Sequence, residues 1–115
     1  MEITIYNYDG IPSVYLDKTD DTFYEFNGNA VGYIFQDMVV NTKNIQIGWY
    51  ENEVMSDTEG RDIGFTIQTV PKRPTEDPIK QRKKPLFGDK EPTKTFKYIN
   101  KNIETRVNLL EYFKK

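Results

Sequence analysis

At 115 residues and 13.6 kDa the chain has room for one core, or one core and a tail, but not for two. Hydrophobic residues make up 37% and charged residues 30%, mean hydropathy is −0.74, and no apolar run approaches the roughly 18–20 residues of a membrane-spanning helix. With no cysteine and no histidine, disulfide frameworks, thiol nucleophiles, Ser-His and Cys-His catalysis and nearly all structural zinc sites are excluded.

The net charge of −2 conceals a division. Residues 1–68 hold three basic residues against twelve acidic ones, a net −9, and residues 69–115 hold thirteen against six, a net +7. Five of the six prolines also lie in the second part, so composition sets a boundary near Gln68 to Pro71. The opening Met1-Glu2 runs into a polar, aromatic stretch without the basic start and apolar run of a signal peptide, which predicts a cytoplasmic protein with no membrane contact.

In chain order, residues 1–68 repeat four times. Ile5-Tyr6-Asn7-Tyr8-Asp9-Gly10 continues through Ser13-Val14-Tyr15-Leu16, and Phe23-Tyr24-Glu25-Phe26-Asn27-Gly28 through Val31-Gly32-Tyr33-Ile34. Val39-Val40-Asn41-Thr42-Lys43-Asn44 is followed by Ile47-Gly48-Trp49-Tyr50, and Met55-Ser56-Asp57-Thr58-Glu59-Gly60 by Ile63-Gly64-Phe65-Thr66. The turn residues Gly10, Gly28, Asn44 and Gly60 are spaced by 18, 16 and 16, and an aromatic follows each five residues later: Tyr15, Tyr33, Trp49 and Phe65. Glycine and asparagine are the residues that best tolerate positive φ.

Each unit reads as a β-hairpin, with Asp9-Gly10 and Asn27-Gly28 the strongest turn signals and Lys43-Asn44 and Glu59-Gly60 weaker ones. Two-residue type I′ loops at these pairs predict, on one face, Tyr24 opposite Val31, Val40 opposite Ile47 and Ser56 opposite Ile63. Further out they predict Thr22–Tyr33, Met38–Trp49 and Val54–Phe65. On the other face Phe23 falls opposite Gly32, Val39 opposite Gly48 and Met55 opposite Gly64, a large residue over bare backbone, and Ile5–Val14 alone departs from this rule. A lone hairpin is marginal in water, so four must bury equivalent faces together. The expected fold is all-β: four tandem hairpins closed into an approximately four-fold ring, which removes unpaired edges, with a linear β-hairpin solenoid as the alternative.

The Tyr-x-aromatic-Asn/Asp-Gly pattern, Gly-Trp-Tyr at 48–50 and Gly-Arg-Asp-Ile-Gly-Phe at 60–65 resemble the bacterial four-fold β-flower proteins, over about residues 3–67 and with a similar Lys/Pro-rich stretch and closing segment beyond. The resemblance implies a radial set of hairpins and brings no established activity. Lys43-Asn44 in place of an Asp/Asn-Gly turn, and Val14 where a glycine recurs elsewhere, depart from the pattern.

Residues 69–97 read as an extended, partly polyproline II tail with a basic run, Lys80-Gln81-Arg82-Lys83-Lys84. From 98 to 115, Ile99, Ile103, Val107, Leu110 and Phe113 recur at helical spacing, predicting an amphipathic helix capped by Asn100 or Asn102 that docks on the sheet. Opposite charges predict that the tail wraps the body, anchored by Leu86, Phe87 and Phe96.

The chemistry these residues offer is that of binding. Glu25, Asp57 and Asp62 could pair as catalytic or cation-holding carboxylates, but they read as turn residues at solvated hairpin tips, and every glycine is explained by its repeat position rather than by a phosphate loop. The expectation is therefore no enzyme, no cofactor and no metal. The partner expected is another protein, held at the tail by Lys80, Arg82, Lys83 and Lys84. The alternative is a cell-wall glycan or choline-type ligand on Tyr15, Tyr33, Trp49 and Phe65, since tandem hairpins with Gly-aromatic steps are similar to choline-binding cell-wall repeats. Nucleic acid is disfavoured because the acidic body repels a polyanion.

Overall fold

The computed structural model describes residues 1–86, 88, 90–92, 95, 98 and 100–114. Phe87 and Phe96, expected above as apolar anchors, and Ile99, expected on the apolar stripe of the helix, lie outside the described residues. Eight strands run in chain order: β1 (Glu2–Tyr6), β2 (Pro12–Asp17), β3 (Thr22–Tyr24), β4 (Ala30–Phe35), β5 (Met38–Asn41), β6 (Gln46–Glu51), β7 (Val54–Asp57) and β8 (Arg61–Phe65). Each pairs antiparallel with the next, and β8 returns to β1 through Tyr6–Phe65, so the sheet is a closed ring rather than a linear solenoid. The tail adds β9 (Ile103–Glu104), parallel to the start of β8, and a short helix α1 (Leu109–Phe113). The molecule is a disc of 37 × 35 × 23 Å.

The turns differ from the two-residue expectation in one consistent way. Gly10, Gly28, Asn44 and Gly60 all have positive φ, from 62 to 96°, whereas Asp9, Asn27, Lys43 and Glu59 do not. Each positive-φ residue donates its N–H to the carbonyl three residues back, at Asn7, Glu25, Asn41 and Asp57. The loops are therefore three residues long, a turn followed by a left-handed residue. Side chains select this form: Asn7 Oδ1 accepts from the N–H of Asp9 and Ile11, Asn41 Oδ1 from Lys43 and Ile45, and Asp57 Oδ1 from Glu59 and Arg61. Type I′ geometry appears instead at the linkers, where Gln36-Asp37 and Asn52-Glu53 carry positive φ at both residues.

The longer loop moves the register by one, and a bulge in each hairpin moves it back. The inner pairs are accordingly Tyr24–Ala30, Val40–Gln46 and Ser56–Asp62, not the pairs with Val31, Ile47 and Ile63 expected from two-residue loops. Beyond the bulge the expected pairs hold: Thr22–Tyr33, Phe23–Gly32, Met38–Trp49, Val39–Gly48, Val54–Phe65, Met55–Gly64 and Ile5–Val14.

Val31, Ile47 and Ile63 are the inserted residues, and a bulge lets them share a face with the glycine that follows. They join Ile5, Val14, Leu16, Phe23, Val39 and Met55 in the core, which α1 covers with Leu109 and Phe113. The glycines make room for the helix. A Cβ at Gly32 would stand 3.2 Å from the Phe113 ring, and one at Gly64 would stand 3.2 Å from Leu109 Cδ2. Phe113 also packs on Phe23, with ring centroids 5.0 Å apart.

The helix expected over 98–115 is corrected to one and a half turns. Residues 103–104 extend instead as β9 along the free side of β8, with Lys101 and Thr105 donating N–H to Gly60 and Asp62 carbonyls. A helix through that segment would forfeit these bonds, and the cap is Asn108, whose side chain accepts from Glu111 N–H. Asn100 donates to Asp62 Oδ1 at 3.0 Å, and its Oδ1 accepts from Asn102 N–H.

Candidate functional site

The strand face opposite the core is aromatic, and the tail lies along it. Alternation places Tyr6, Tyr15, Tyr24, Tyr33, Trp49 and Phe65 on this side, each buried. The four repeat aromatics Tyr15, Tyr33, Trp49 and Phe65 are between 0 and 4% exposed, so none presents an open face. Tyr33 donates its hydroxyl proton to Asn44 Oδ1 at 2.7 Å, and Trp49 meets Tyr98 of the tail edge-on at 5.3 Å.

The tail reaches the ring chiefly by backbone. Thr75 donates its N–H to the Gly10 carbonyl at 2.9 Å and Lys84 to the Gly28 carbonyl at 2.8 Å, and Gln81 donates to Phe26 O at 2.8 Å. The two glycines are required here: a Cβ at Gly10 would lie 2.6 Å from Arg73 O, and one at Gly28 would lie 1.9 Å from Arg82 O. The basic run thus crosses the second hairpin tip, with Arg82 exposed and Lys84 bridging to Asn29.

Lys83 is the electrostatic centre of this contact. Its Nζ stands 2.5 Å from both Glu2 Oε2 and Asp17 Oδ2, and Lys80 Nζ stands 3.0 Å from Glu2 Oε1. Both cations lie over rings: Lys80 is 4.9 Å from the Tyr15 centroid, and Lys83 is 5.9 Å from Tyr15 and 5.8 Å from Tyr24. Tyr15 stacks on Tyr24 at 5.5 Å and tilts against Phe26 at 5.4 Å. The Lys83 ammonium, helped by the Thr19 N–H, holds the Asp17 carboxyl at about 2, and with Lys80 it also lowers Glu2; Asp17 and Glu2 in turn raise Lys83. Burial, with the hydrogen bond donated to Asp20, pushes Tyr24 up to about 12.

Of the expected binding residues the structure brings together Tyr15, Lys80 and Lys83, while Tyr33, Trp49 and Phe65 sit apart from them on other hairpins. Sequence reasoning missed Glu2, Asp17 and Tyr24. Their only signal was the acidic excess of residues 1–68, which names no particular carboxylate. The carboxylates considered for chemistry are engaged in structure: Asp57 holds its turn and Arg61 at 2.8 Å, and Asp62 accepts from Asn100. No group of three or more acidic side chains among the described residues could hold a metal ion. No helix among them is long and apolar enough to cross a membrane.

The fold and this face define a small all-β ring module with a peptide segment strapped across an acidic, aromatic surface. The sequence of residues 3–104 matches the 4-fold beta flower protein family, and the chain belongs to it. No curated protein and no solved structure matches the chain.

Proposed function

We propose that this chain is a non-enzymatic protein-interaction or accessory module of a bacterial cytoplasm, built as four roughly equivalent hairpins in an approximately four-fold ring. One observation carries the reading: the β1–β3 face already holds an extended peptide, with Lys80 and Lys83 on Tyr15 and Tyr24 and against Glu2 and Asp17. A surface that fits backbone and lysine side chains in cis has the chemistry to fit them in trans. Small-ligand binding has less support, because the four repeat aromatics are buried.

Affinity capture from the native host with the full chain tests the proposal, using as control a chain in which Glu2 and Asp17 are replaced by Gln and Asn. The expected outcome is a host protein retained by the wild type and lost from the control. Retention of no protein above background would retire the interaction role. Quenching of Trp49 by choline or chitin fragments at millimolar concentration would favour the ligand-binding alternative instead.

A further inference from the structure

The interaction reading, on which this inference rests, does not say what the ring recognises; the tail does. From Pro74 to Lys84 the contacts with the ring recur about every three residues, at Pro74-Thr75, Asp77, Lys80-Gln81 and Lys83-Lys84. Pro74 abuts Gly10, with its Cα 3.1 Å from where a Cβ would stand. Asp77 accepts from Thr4 Oγ1 at 2.5 Å and from the Tyr6 hydroxyl at 3.4 Å. Lys80 and Lys83 follow, on Glu2, Asp17 and the paired rings. Between them Glu76, Pro78 and Arg82 are exposed, and Ile79 is 90% exposed. Polyproline II has three residues per turn, ~3.1 Å of rise each, and leaves its backbone N–H groups free, as the bond from Gln81 to Phe26 requires.

We propose that the β1–β3 face is a receptor for an extended, polyproline-type segment bearing two lysines three residues apart, held closed in this chain by its own residues 74–84, and that its ligand is such a segment on another protein. The pocket around Lys83 demands a cation that carries N–H donors. Two carboxylate oxygens at 2.5 Å require N–H donors, so a quaternary ammonium cannot approach as closely. Asp17 is 6% exposed and ionised, so the site without a cation would leave a buried charge unpaired. The resident strap is an incomplete ligand. The Tyr15 hydroxyl is fully buried, close enough to Glu2 and Lys83 to feel their charge, and has no hydrogen-bond partner among the described residues. An incoming segment that supplies one meets a need the strap leaves unmet.

A strap tethered to its own site acts at a local concentration on the order of millimolar, so a free peptide competes poorly until the strap is weakened. The test uses the full chain and a labelled synthetic peptide of residues 71–85, with binding followed by anisotropy. Replacing Asp77, Lys80 and Lys83 by Ser in the protein is expected to tighten peptide binding at least about tenfold over wild type. It is also expected to remove amide protection at Gln81 and Lys84. Trimethylation of Lys80 and Lys83 in the peptide is expected to abolish that gain.

Equal binding to both proteins, no binding to the triple variant at millimolar peptide, or unchanged protection at Gln81 and Lys84 would each overturn the inference. If the triple variant fails to fold, peptide added to wild type well above the strap's roughly millimolar local concentration decides the matter through the same amides: lost protection supports displacement, and retained protection refutes it. A host protein captured by the full chain while the peptide fails here would sink the strap and leave the interaction module standing. Peptide binding with no captured host protein would do the reverse.

Discussion

Strands β1–β8 pair their backbone groups with one another, whereas the described tail residues reach the ring's backbone through N–H donors at Thr75, Gln81, Lys84, Lys101 and Thr105. The ring buries an apolar cluster of nine of its own residues; among the described tail residues Leu109 and Phe113 are buried in that core, with Val107, Leu110 and Tyr112 packed against it. The tail is therefore anchored at its far end by apolar burial and along its length by charge and backbone contact. Exposed ion pairs contribute little: Arg106–Asp9, with side chains 61% and 36% exposed, is worth at most ~1 kcal/mol. The comparison predicts a graded response, in which changes at α1 unfold the whole molecule and changes along the strap release only the strap.

The largest expected effect is at Phe113. It is 1% exposed, sits over Gly32 and packs at a tilt against Phe23, so Phe113→Ala opens a cavity in the ring's own core. A loss of about 3–5 kcal/mol is expected, as one cooperative denaturant transition in which the near-ultraviolet signal of Trp49 disappears together with the secondary structure. Separate transitions for the Trp49 signal and the secondary structure would mean that α1 is an appendage and the contrast with the strap is false.

Gly28 and Gly88 separate contact from backbone strain. Both have φ near +100°, but a Cβ at Gly28 would stand 1.9 Å from Arg82 O, and one at Gly88 has nothing within 4 Å. Alanine at either position incurs the left-handed penalty, about 1–2 kcal/mol. Only Gly28→Ala must also lift the strap, so it is expected to cost about 1 kcal/mol more than Gly88→Ala and to expose the Gln81 and Lys84 amides to exchange. Equal losses from the two, with those amides still protected, would show that the strap does not depend on close approach at the second tip.

Acid tests the charge on the strap. Asp17 drops from 3.8 in the unfolded chain to about 2 in the fold, so its contribution is present above pH 4 and is lost as pH falls through 2. The size is about 2 kcal/mol, and the first cause is Lys83. Lys83→Met is expected to return the Asp17 titration, followed by carboxyl NMR, most of the way to 3.8, leaving the Thr19 N–H bond to hold the remainder. An unmoved Asp17 would place the cause in the turn rather than the strap.

Much of the ring was legible in the sequence because turn chemistry repeats: Gly10, Gly28, Asn44 and Gly60 occupy one conformation, and the large-over-glycine pairs follow from it. The loop type was not legible, because Asp-Gly and Asn-Gly serve both two- and three-residue loops. The deciding groups are the acceptor oxygens of Asn7, Asn41 and Asp57, three residues upstream. The outer register survived that error because the bulge at Ser13, Val31, Ile47 or Ile63 compensates for the added loop residue. The helix was overextended because Ile103 fits a helical stripe and a strand equally, and the free side of β8 that takes it is a product of ring closure. Lys80 and Lys83 could be named from the basic run, but their carboxylate partners come from β1 and β2 and have no local sequence signature.

The smallest expected effect lies at the one turn that departs from glycine. Asn44 has φ of 62°, which asparagine tolerates, and its Oδ1 accepts the buried Tyr33 hydroxyl at 2.7 Å. Asn44→Gly relieves a few tenths of a kcal/mol of backbone strain but also makes the unfolded chain more flexible, and the two nearly cancel. What remains is the lost acceptor for a hydroxyl on a residue 2% exposed, about 1 kcal/mol. The substitution that makes this turn match the other three is therefore expected to destabilise the fold by about that amount, and Tyr33→Phe in the Asn44→Gly background is expected to restore most of it. A stabilised Asn44→Gly chain would mean that Asn44 is there by default and that its bond to Tyr33 contributes nothing to the ring.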